Sequence, residues 1–576
     1  MGYRKAYGTT VLSGVDGAVL ARSRSNHDVR AHFRRRIGRS RGFADRTLGR
    51  ITPTVDQCGP PSRMPLRLVA ATAGAALLGR ITNRRARCSS SDTEEETLHP
   101  HVLVVGGGLA GVTTAWALAQ RGAHVTLVDS AEEEAALCSH ANAGRFCPAR
   151  LLGFPPAKPL SVISALRVLL FPGEGDAAVS APSIKLSPRT IWYGLHYLRS
   201  CTQARFEHNN ACFCDLAERT VAATERVLRE CAISAPDEIG RREGNLWLYG
   251  SAAHAAADAE PKAAAAAQRG WPSIEVLDCD ACADRFPQLA GWLRRGGGGG
   301  GGDGDVGGVG GGCVLAMSDW SADARAFASA VRRAAEASGR VRCEWGCRVV
   351  TLAPPAEARR GAAAAIEVEG ADGARRVLRA DAVVLCGGLA TRELLGDAAA
   401  RHAWLPLVAM RGFSLDLRPG AAAHGAADAV GEAVPHVSVS DYSDEIHVQI
   451  VPLGAGRVRL AGFAEYDEDG APDAALLAAR KAALLARACE ILPRLATYDS
   501  TSELWTGLRP MTPDFLPLIG RCHAAPGAVY VNAGHGAVGW TLCCATAEMV
   551  ADDIMCGGGS AACAPYAPDR FSYWIR

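Results

Sequence analysis

No stretch of this sequence is long and apolar enough to cross a bilayer, which takes about 20 consecutive apolar residues. The nearest, Leu68 to Leu78, is an eleven-residue run flanked by arginines. A helical membrane-spanning protein is therefore excluded. Zinc-finger spacing is missing too: Cys279 and Cys282 form a lone CxxC with no second pair and no thioredoxin-like surroundings. The 20 cysteines are scattered and include adjacent Cys543 and Cys544, so they read as small buried residues of a reducing compartment, and no metal site is expected. A phosphate-binding P-loop is absent, because the glycine run Gly296 to Gly312 is followed by no Lys-Ser/Thr pair and preceded by no strand. That run, broken by Asp303 and Asp305, is expected to be a flexible surface insertion.

Strong net charge is the last absence. The total is +2, but residues 1–91 hold 18 Lys plus Arg against 4 Asp plus Glu, a balance of +14, which leaves 2 − 14 = −12 on the rest. A basic footprint confined to one end excludes nucleic-acid binding by the folded part and points to targeting. Residues 1–95 are expected to be an unstructured extension: either an organellar address, mitochondrial or plastid, or an upstream segment with Met64 as the true start and a cytoplasmic location. The 576 residues, 48% hydrophobic, leave enough chain beyond it for two domains.

What is present is concentrated first in Val102 to Asp129. Val102 to Val105 read as a strand buried on both faces, three glycines follow, Val112, Ala115, Trp116 and Ala119 recur at helical spacing, and Val125 to Val128 read as a second strand. This is a βαβ unit with a GxGxxG turn. Gly106 permits the turn, Gly108 lets backbone N–H groups approach a pyrophosphate, and Gly111 lets the helix pack closely. Asp129, ending the second strand, is placed to accept from a ribose diol. The motif predicts adenine-dinucleotide binding and leaves FAD and NAD open.

Further along, Val383 to Cys386 with Gly387 and Gly388 repeats the strand-then-glycine pattern and is expected to return to the same sheet. Asn245 to Tyr249 reads as a strand of an inserted domain, to which residues 405–465, alternating in period 2, add antiparallel strands. Gly361 to Gly373 reads as a loop and Ala474 to Leu492 as a packing helix. Trp192 to Arg199 mixes aromatic and basic residues on one helix, open to a packing role or to peripheral membrane contact.

Three blocks carry a resemblance: SHANAGRF (Ser139 to Phe146), LWTGLRPMTPDFLPLIG (Leu504 to Gly520) and VNAGHGAVGWTLCCATAEMVADDI (Val531 to Ile554). With the opening motif they resemble the D-amino-acid dehydrogenase small subunit, within the D-amino-acid oxidase superfamily of FAD enzymes. The resemblance runs from about His99 to Ile554 and implies FAD as cofactor. It implies an α/β fold: a Rossmann-like, glutathione-reductase-type FAD-binding domain (98–184, 311–400 and 501–560) with an inserted α+β substrate domain (185–295 and 401–500) built on a mainly antiparallel sheet.

Site residues follow from it. A flavin oxidising an amino acid needs the substrate carboxylate fixed and Cα–H aimed at flavin N5. In similar enzymes the arginine at the GLRP position, here Arg509, holds the carboxylate, and a guanidinium offers a planar fork for it. The alternative is an arginine paired to Glu503 or Asp514. Ser139, Asn142, Ala143 and Gly144 resemble the loop lining the isoalloxazine. Gly534, Gly536, Gly539, Trp540 and Thr541 open a helix whose N-terminus would stabilise charge on reduced flavin. His535 could touch the flavin or bond backbone, and Tyr442 could bind substrate or be a packed strand tyrosine. Met410, Gly412 and Phe413 are expected on one sheet face.

The expected reaction is oxidative deamination of a D-amino acid to the 2-oxo acid and ammonia, with no general base required. Glycine, sarcosine or proline as substrate, and a non-catalytic FAD-binding subunit, stay open. So does the acceptor, a quinone, an electron carrier or dioxygen, and the oligomeric state.

Overall fold

β-branched and leucine side chains without a polar neighbour build the centre of the molecule. In the computed structural model β1 (His101–Val105) is flanked by β2 (His124–Val128) and β11 (Ala382–Leu385), both parallel to it, and Val102 faces Ala382 in register. The structure describes residues 99–153, 187–294, 311–352, 363–398, 405–419, 433–443, 446–454, 456–466 and 472–574. The N-terminal extension and nearly all of the glycine run lie outside these residues.

Addition of β7 (Val341–Glu344), β18 (Leu518–Arg521) and β19 (Val529–Ala533) gives a six-stranded sheet in the order β18-β19-β11-β1-β2-β7, parallel except for edge strand β18. The predicted return of Val383 to Cys386 is thus observed. Both faces are covered, as a parallel sheet requires. On one side lie α1 (Leu109–Gln120) and the C-terminal helix Gly539–Met555, joined where Thr113 Oγ1 donates to the Cys543 carbonyl, 3.1 Å. On the other side is a three-stranded antiparallel sheet of β8 (Arg348–Leu352), β9 (Ala364–Glu369) and β10 (Arg375–Ala380), which shares a core with Leu103, Val105, Val383 and Leu385. Strand β9 falls inside the stretch expected to be a loop. Its alanines carry little signal, yet Ala364, Ala365, Ile366 and Val368 are buried.

The second architecture is a ten-stranded sheet. It comprises β3 (Arg145–Phe146), β4 (Arg242–Tyr249), β5 (Ile274–Leu277), β6 (Gly312–Ser321), β12 (Val408–Pro419), β13 (Ser438–Asp441), β14 (Gln449–Pro452), β15 (Val458–Tyr466), β16 (Tyr498–Asp499) and β17 (Trp505–Met511). Every pairing is antiparallel except β13 with β4. Strands β3, β6 and β17 lie in chain segments expected to serve the FAD-binding domain, but they hydrogen-bond here. Sheet membership is decided by which strand edge is free in space, which chain order does not encode.

Alternation divides this sheet into two unlike faces. Phe413, Leu415, Leu417, Val439, Ile450, Val458 and Leu460 form an apolar rear core, covered by α4 (Ala474–Ile491) through Leu484, Ala488 and Ile491. The opposite, front face carries Ser414, Asp416, Ser438, Ser440, Gln449 and Arg459, placed there by cross-strand register. Phe413 therefore does not share a face with Met410 and Gly412; strict alternation along β12 puts it in the rear core.

Two helices close the front side. Helix α2 (Pro188–Ser200) starts at a capping box of Ser187 with Thr190 and buries Tyr193 and His196 while exposing Ile191, Leu195 and Leu198. It leads into α3 (Gln203–Glu230). The C-terminal helix Gly539–Met555 is α5. Among the described residues no helix is long and apolar enough to cross a membrane.

Candidate active site

The glycine turn after β1 is built so tightly that two of its glycines admit no side chain. Gly106 has φ +111°, and a Cβ there would press on the Cys386 carbonyl. A Cβ on Gly111 would overlap the Gly106 carbonyl oxygen, so this glycine serves helix-to-turn packing as expected. Gly108 differs: it has ordinary extended backbone, and its Cβ would meet only Ser139 Oγ, 3.4 Å away. The space over Gly108 is kept clear by the protein, which is what a phosphate cradle at a helix N-terminus needs. Ser139 Oγ accepts from Leu109 N–H, 3.2 Å, and so tethers its loop to this N-terminus. Asp129 accepts from the N–H groups of Gly107 and Ala131, which fixes its carboxylate beside the turn.

From Ser139 the chain crosses onto the front face of the large sheet. Asn142 Oδ1 accepts from Gly144 N–H, 2.9 Å, and Gly144, at φ +71°, lies so close to the Ala322 carbonyl that only glycine fits. The sheet holds this loop at three points. Ser414 Oγ donates to the Ala141 carbonyl, 2.7 Å; Arg459 Nη1 donates to the Asn142 carbonyl, 3.1 Å; and Arg145 Nη1 donates to Ser440 Oγ. Arg459, 3% exposed, is itself locked in a two-point pair with Asp416, at 2.6 and 2.9 Å. A fully satisfied ion pair of this kind fixes a loop rather than offering a binding charge. Half-buried Ala143 sits at the loop's crest.

Arg509 stands apart from these pairs. It lies on β17 opposite Met410, with Tyr466 next in the same cross-strand row, and its side chain runs over Gly412, where any Cβ would overlap the guanidinium. Nη1 donates to the Phe463 carbonyl, 3.2 Å, and lies 3.5 Å from that of Arg411. Among the described residues no carboxylate pairs with it: Asp514 is held by Arg570 at 2.8 Å, and Glu503 makes no contact with it. Burial pushes the Arg509 pKa down, offset only by the nearby Cys138 thiol. A half-buried guanidinium without an anion is a standing receptor for one.

The Gly534 loop is beside it. Gly534 (φ +72°) packs against Thr512 and Leu518, and Gly536 (φ +56°) against the Met511 sulfur, two residues along β17 from Arg509. His535 is buried, its Nε2 3.0 Å from Thr546 Oγ1, and burial pushes its pKa down to about 4. It is a neutral ring tied to a side chain of α5, not to backbone. Helix α5 begins at Gly539 with no side-chain cap. Trp540 packs edge-on to Trp320, centroids 5.7 Å apart, and Thr541 Oγ1 accepts from Cys147 N–H, 3.1 Å, so both brace the Asn142 loop.

Tyr442 is not brought to Arg509. It follows β13, with β14, β15 and β12 between that strand and β17, and its ring lies under the Arg150 guanidinium (4.3 Å) and beside Tyr249 (5.6 Å). Two features escaped sequence reading: the Asp416–Arg459 clamp and Gln449, on the front face of β14. Period-2 alternation could have placed both residues of each on one face, but nothing local says which face is buried against what. No cluster of three His, Cys, Asp or Glu among the described residues is arranged to hold a metal ion.

Comparison with known proteins follows this geometry. Residues 101–553 match the family described as DAO, FAD dependent oxidoreductase. The chain is 32% identical over 451 residues to the D-amino acid dehydrogenase of Bradyrhizobium diazoefficiens, covering 78% of this chain and 94% of that one, and 30% identical over 455 residues to the D-amino acid dehydrogenase of Methylobacterium radiotolerans, covering 78% and 95%. These are matches to whole chains, which gives the small-subunit likeness no separate support. Among solved structures it is similar in fold to glycine oxidase from Geobacillus kaustophilus, with TM-score 0.55, 18% identity and coverage of 82% and 99%. L-proline dehydrogenase from P. horikoshii is a similar case, with TM-score 0.53, 16% identity and coverage of 82% and 98%.

Proposed function

Because the chain belongs to the DAO family of FAD-dependent oxidoreductases, we propose that it oxidatively deaminates D-amino acids to 2-oxo acids and ammonia as a dehydrogenase. The substrate name is carried by relatives at 30 to 32% identity over almost their whole length. The residues fit FAD: the space at Gly108 is clear and the carboxylate of Asp129 is fixed beside the turn. Bound FAD supplies the acceptor for the two electrons and the hydrogen leaving Cα.

The protein's part is binding and exclusion. Arg509 takes the substrate carboxylate in a bidentate pair, which orients Cα and fills an anion-seeking position on this face. The Asn142 loop, clamped by Arg459 and Ser414, holds the opposite wall of the site rigid. The uncapped N-terminus of α5 provides positive potential where negative charge accumulates on reduction. Loss of hydrogen from Cα requires the neutral amine, and water then hydrolyses the imine.

The single observation carrying this reading is the half-buried Arg509 guanidinium without a carboxylate partner among the described residues. The test is anaerobic bleaching of the bound flavin by a panel of D- and L-amino acids, sarcosine, glycine and proline, followed by readmission of air. Fast bleaching by D-amino acids with slow reoxidation by oxygen and fast reoxidation by a quinone is the expected pattern. Bleaching by sarcosine, glycine or proline alone would replace the substrate; rapid reoxidation in air would make it an oxidase.

A further inference from the structure

Gln449 is 7% exposed, and its Oε1 is buried with no hydrogen-bond partner. Its Nε2 donates to the His447 carbonyl, 2.8 Å, which fixes the amide and leaves the oxygen as the atom without a partner. A buried acceptor left unmade is costly, and natural structures keep few of them. Every other polar group of its row is employed. Reading across β13, β14, β15, β12 and β17, the row is Ser440, Gln449, Ala461, Ser414 and Trp505. Ser440 receives Arg145, Ser414 binds the Ala141 carbonyl, and Trp505 stacks on His140 with centroids 6.2 Å apart. Gln449 alone presents an unused acceptor.

Its position relative to Arg509 gives that acceptor a meaning. The Arg509 guanidinium reaches the Phe463 carbonyl on β15, and Gln449 pairs with Ala461, two residues away on that strand. One strand spacing across and two residues along amount to roughly 8 Å between the backbone at Phe463, where the guanidinium is anchored, and that at Gln449. Two hydrogen bonds of about 2.9 Å, with the short Cα frame of an α-amino acid between them, fill a gap of that size.

Resting on the assignment of Arg509 to the substrate carboxylate, we propose that Gln449 binds the substrate α-amine: its Oε1 accepts from the amine while Arg509 holds the carboxylate. The two contacts, with the rigid sheet beneath, fix the direction in which the single Cα hydrogen points. The neutral amide suits the chemistry. A carboxylate in its place would favour the ammonium form, which cannot release hydrogen from Cα, whereas an uncharged acceptor orients the amine without holding its proton. It also makes the site selective for amino acids over plain carboxylic acids, which have no donor on Cα.

The experiment compares D-alanine with propionate, the same carbon frame without the amine, on the FAD-loaded wild type and on Gln449→Leu, Gln449→Met and Gln449→Glu. D-alanine affinity is read from the saturation of anaerobic flavin bleaching, and propionate affinity from the shift of flavin absorbance. Expected for Leu and Met is a D-alanine affinity weaker by roughly 10- to 100-fold with propionate unchanged within about twofold. For Gln449→Glu the acid limb of the kcat profile moves to higher pH, because the bound amine holds its proton longer. Equal weakening of both ligands, no change in either, or loss of flavin would overturn the proposal. Wild type that D-alanine and other D-amino acids fail to bleach would instead overturn the functional reading on which it rests.

Discussion

The two large sheets bury their faces for opposite purposes. In the six-stranded sheet β1, β2, β11 and β19 are mostly apolar on both sides, and the proposed cofactor contacts lie at the strand ends, in the turns at Gly106 to Gly111 and Gly534 to Gly536. In the ten-stranded sheet one face is apolar core and the other is a buried polar surface, so the chemistry lies across the strands. A site at a strand end is a contiguous piece of sequence, and a motif can announce it. A site spread over β13, β14, β15, β12 and β17 takes one residue from each of several distant segments, and no motif contains it.

The comparison is broken most severely at the strand ends. Gly111→Val should abolish soluble folded protein, since the new side chain overlaps the Gly106 backbone, whereas Gly108→Val should give folded protein with no flavin, because only the cradle is filled. Expression yield and the flavin-to-protein ratio separate the two. Stoichiometric flavin in Gly108→Val would place the phosphates elsewhere.

On the polar face the largest effect belongs to Arg509. Arg509→Ala should keep its flavin while kcat/KM for D-amino acids falls by about 100-fold or more, mostly through KM, as expected for removing a bidentate charge-assisted contact. Unchanged kinetics would remove the carboxylate assignment.

Stability against pH sharpens the contrast further. Asp319, buried where β6 meets the Asn142 loop, accepts from Ala149 N–H at 3.0 Å, and burial raises its pKa to about 6. The native state then holds a proton that the unfolded chain releases near pH 4, so this group's contribution to stability declines as pH rises from about 4 to about 6. Asp319→Asn should flatten that part of the curve and gain up to about 3 kcal/mol at pH 7. Thermal unfolding between pH 4 and 8 measures it, and an unaltered slope would contradict the assignment.

The smallest effect is expected at His535. With a pKa near 4 it is neutral throughout the working range. His535→Gln should cost about 1 kcal/mol through the lost Thr546 contact and leave the shape of the pH–rate profile between 5 and 8 intact. A new or missing limb in that interval would give the ring a role in proton traffic.

Legibility followed the same divide. The βαβ turn, the return of Val383 to Cys386, the helix at Ala474 and the antiparallel character of residues 405–465 were all readable, because each is a local periodicity enforced by burial. Arg509 was readable as a residue from its GLRP block. Its freedom from Glu503 and Asp514 was not, since that depends on Arg570, 61 positions away, taking Asp514. Tyr442 read equally as a substrate-binding or a packed tyrosine in its segment, and three strands stand between it and Arg509 in space.

The sequence by itself determined the tight turn at Gly106 to Gly111 between a buried strand and a helix, because a βαβ unit with glycines at that spacing is visible in one short stretch. Only the tertiary structure decided what stands opposite it: which strands join β12, which side of them is buried as core, and that Arg509 and Gln449 are left with unused hydrogen-bonding capacity on one face. Strand pairing and the satisfaction of buried polar groups are properties of contacts between distant segments, and those exist only once the chain has folded.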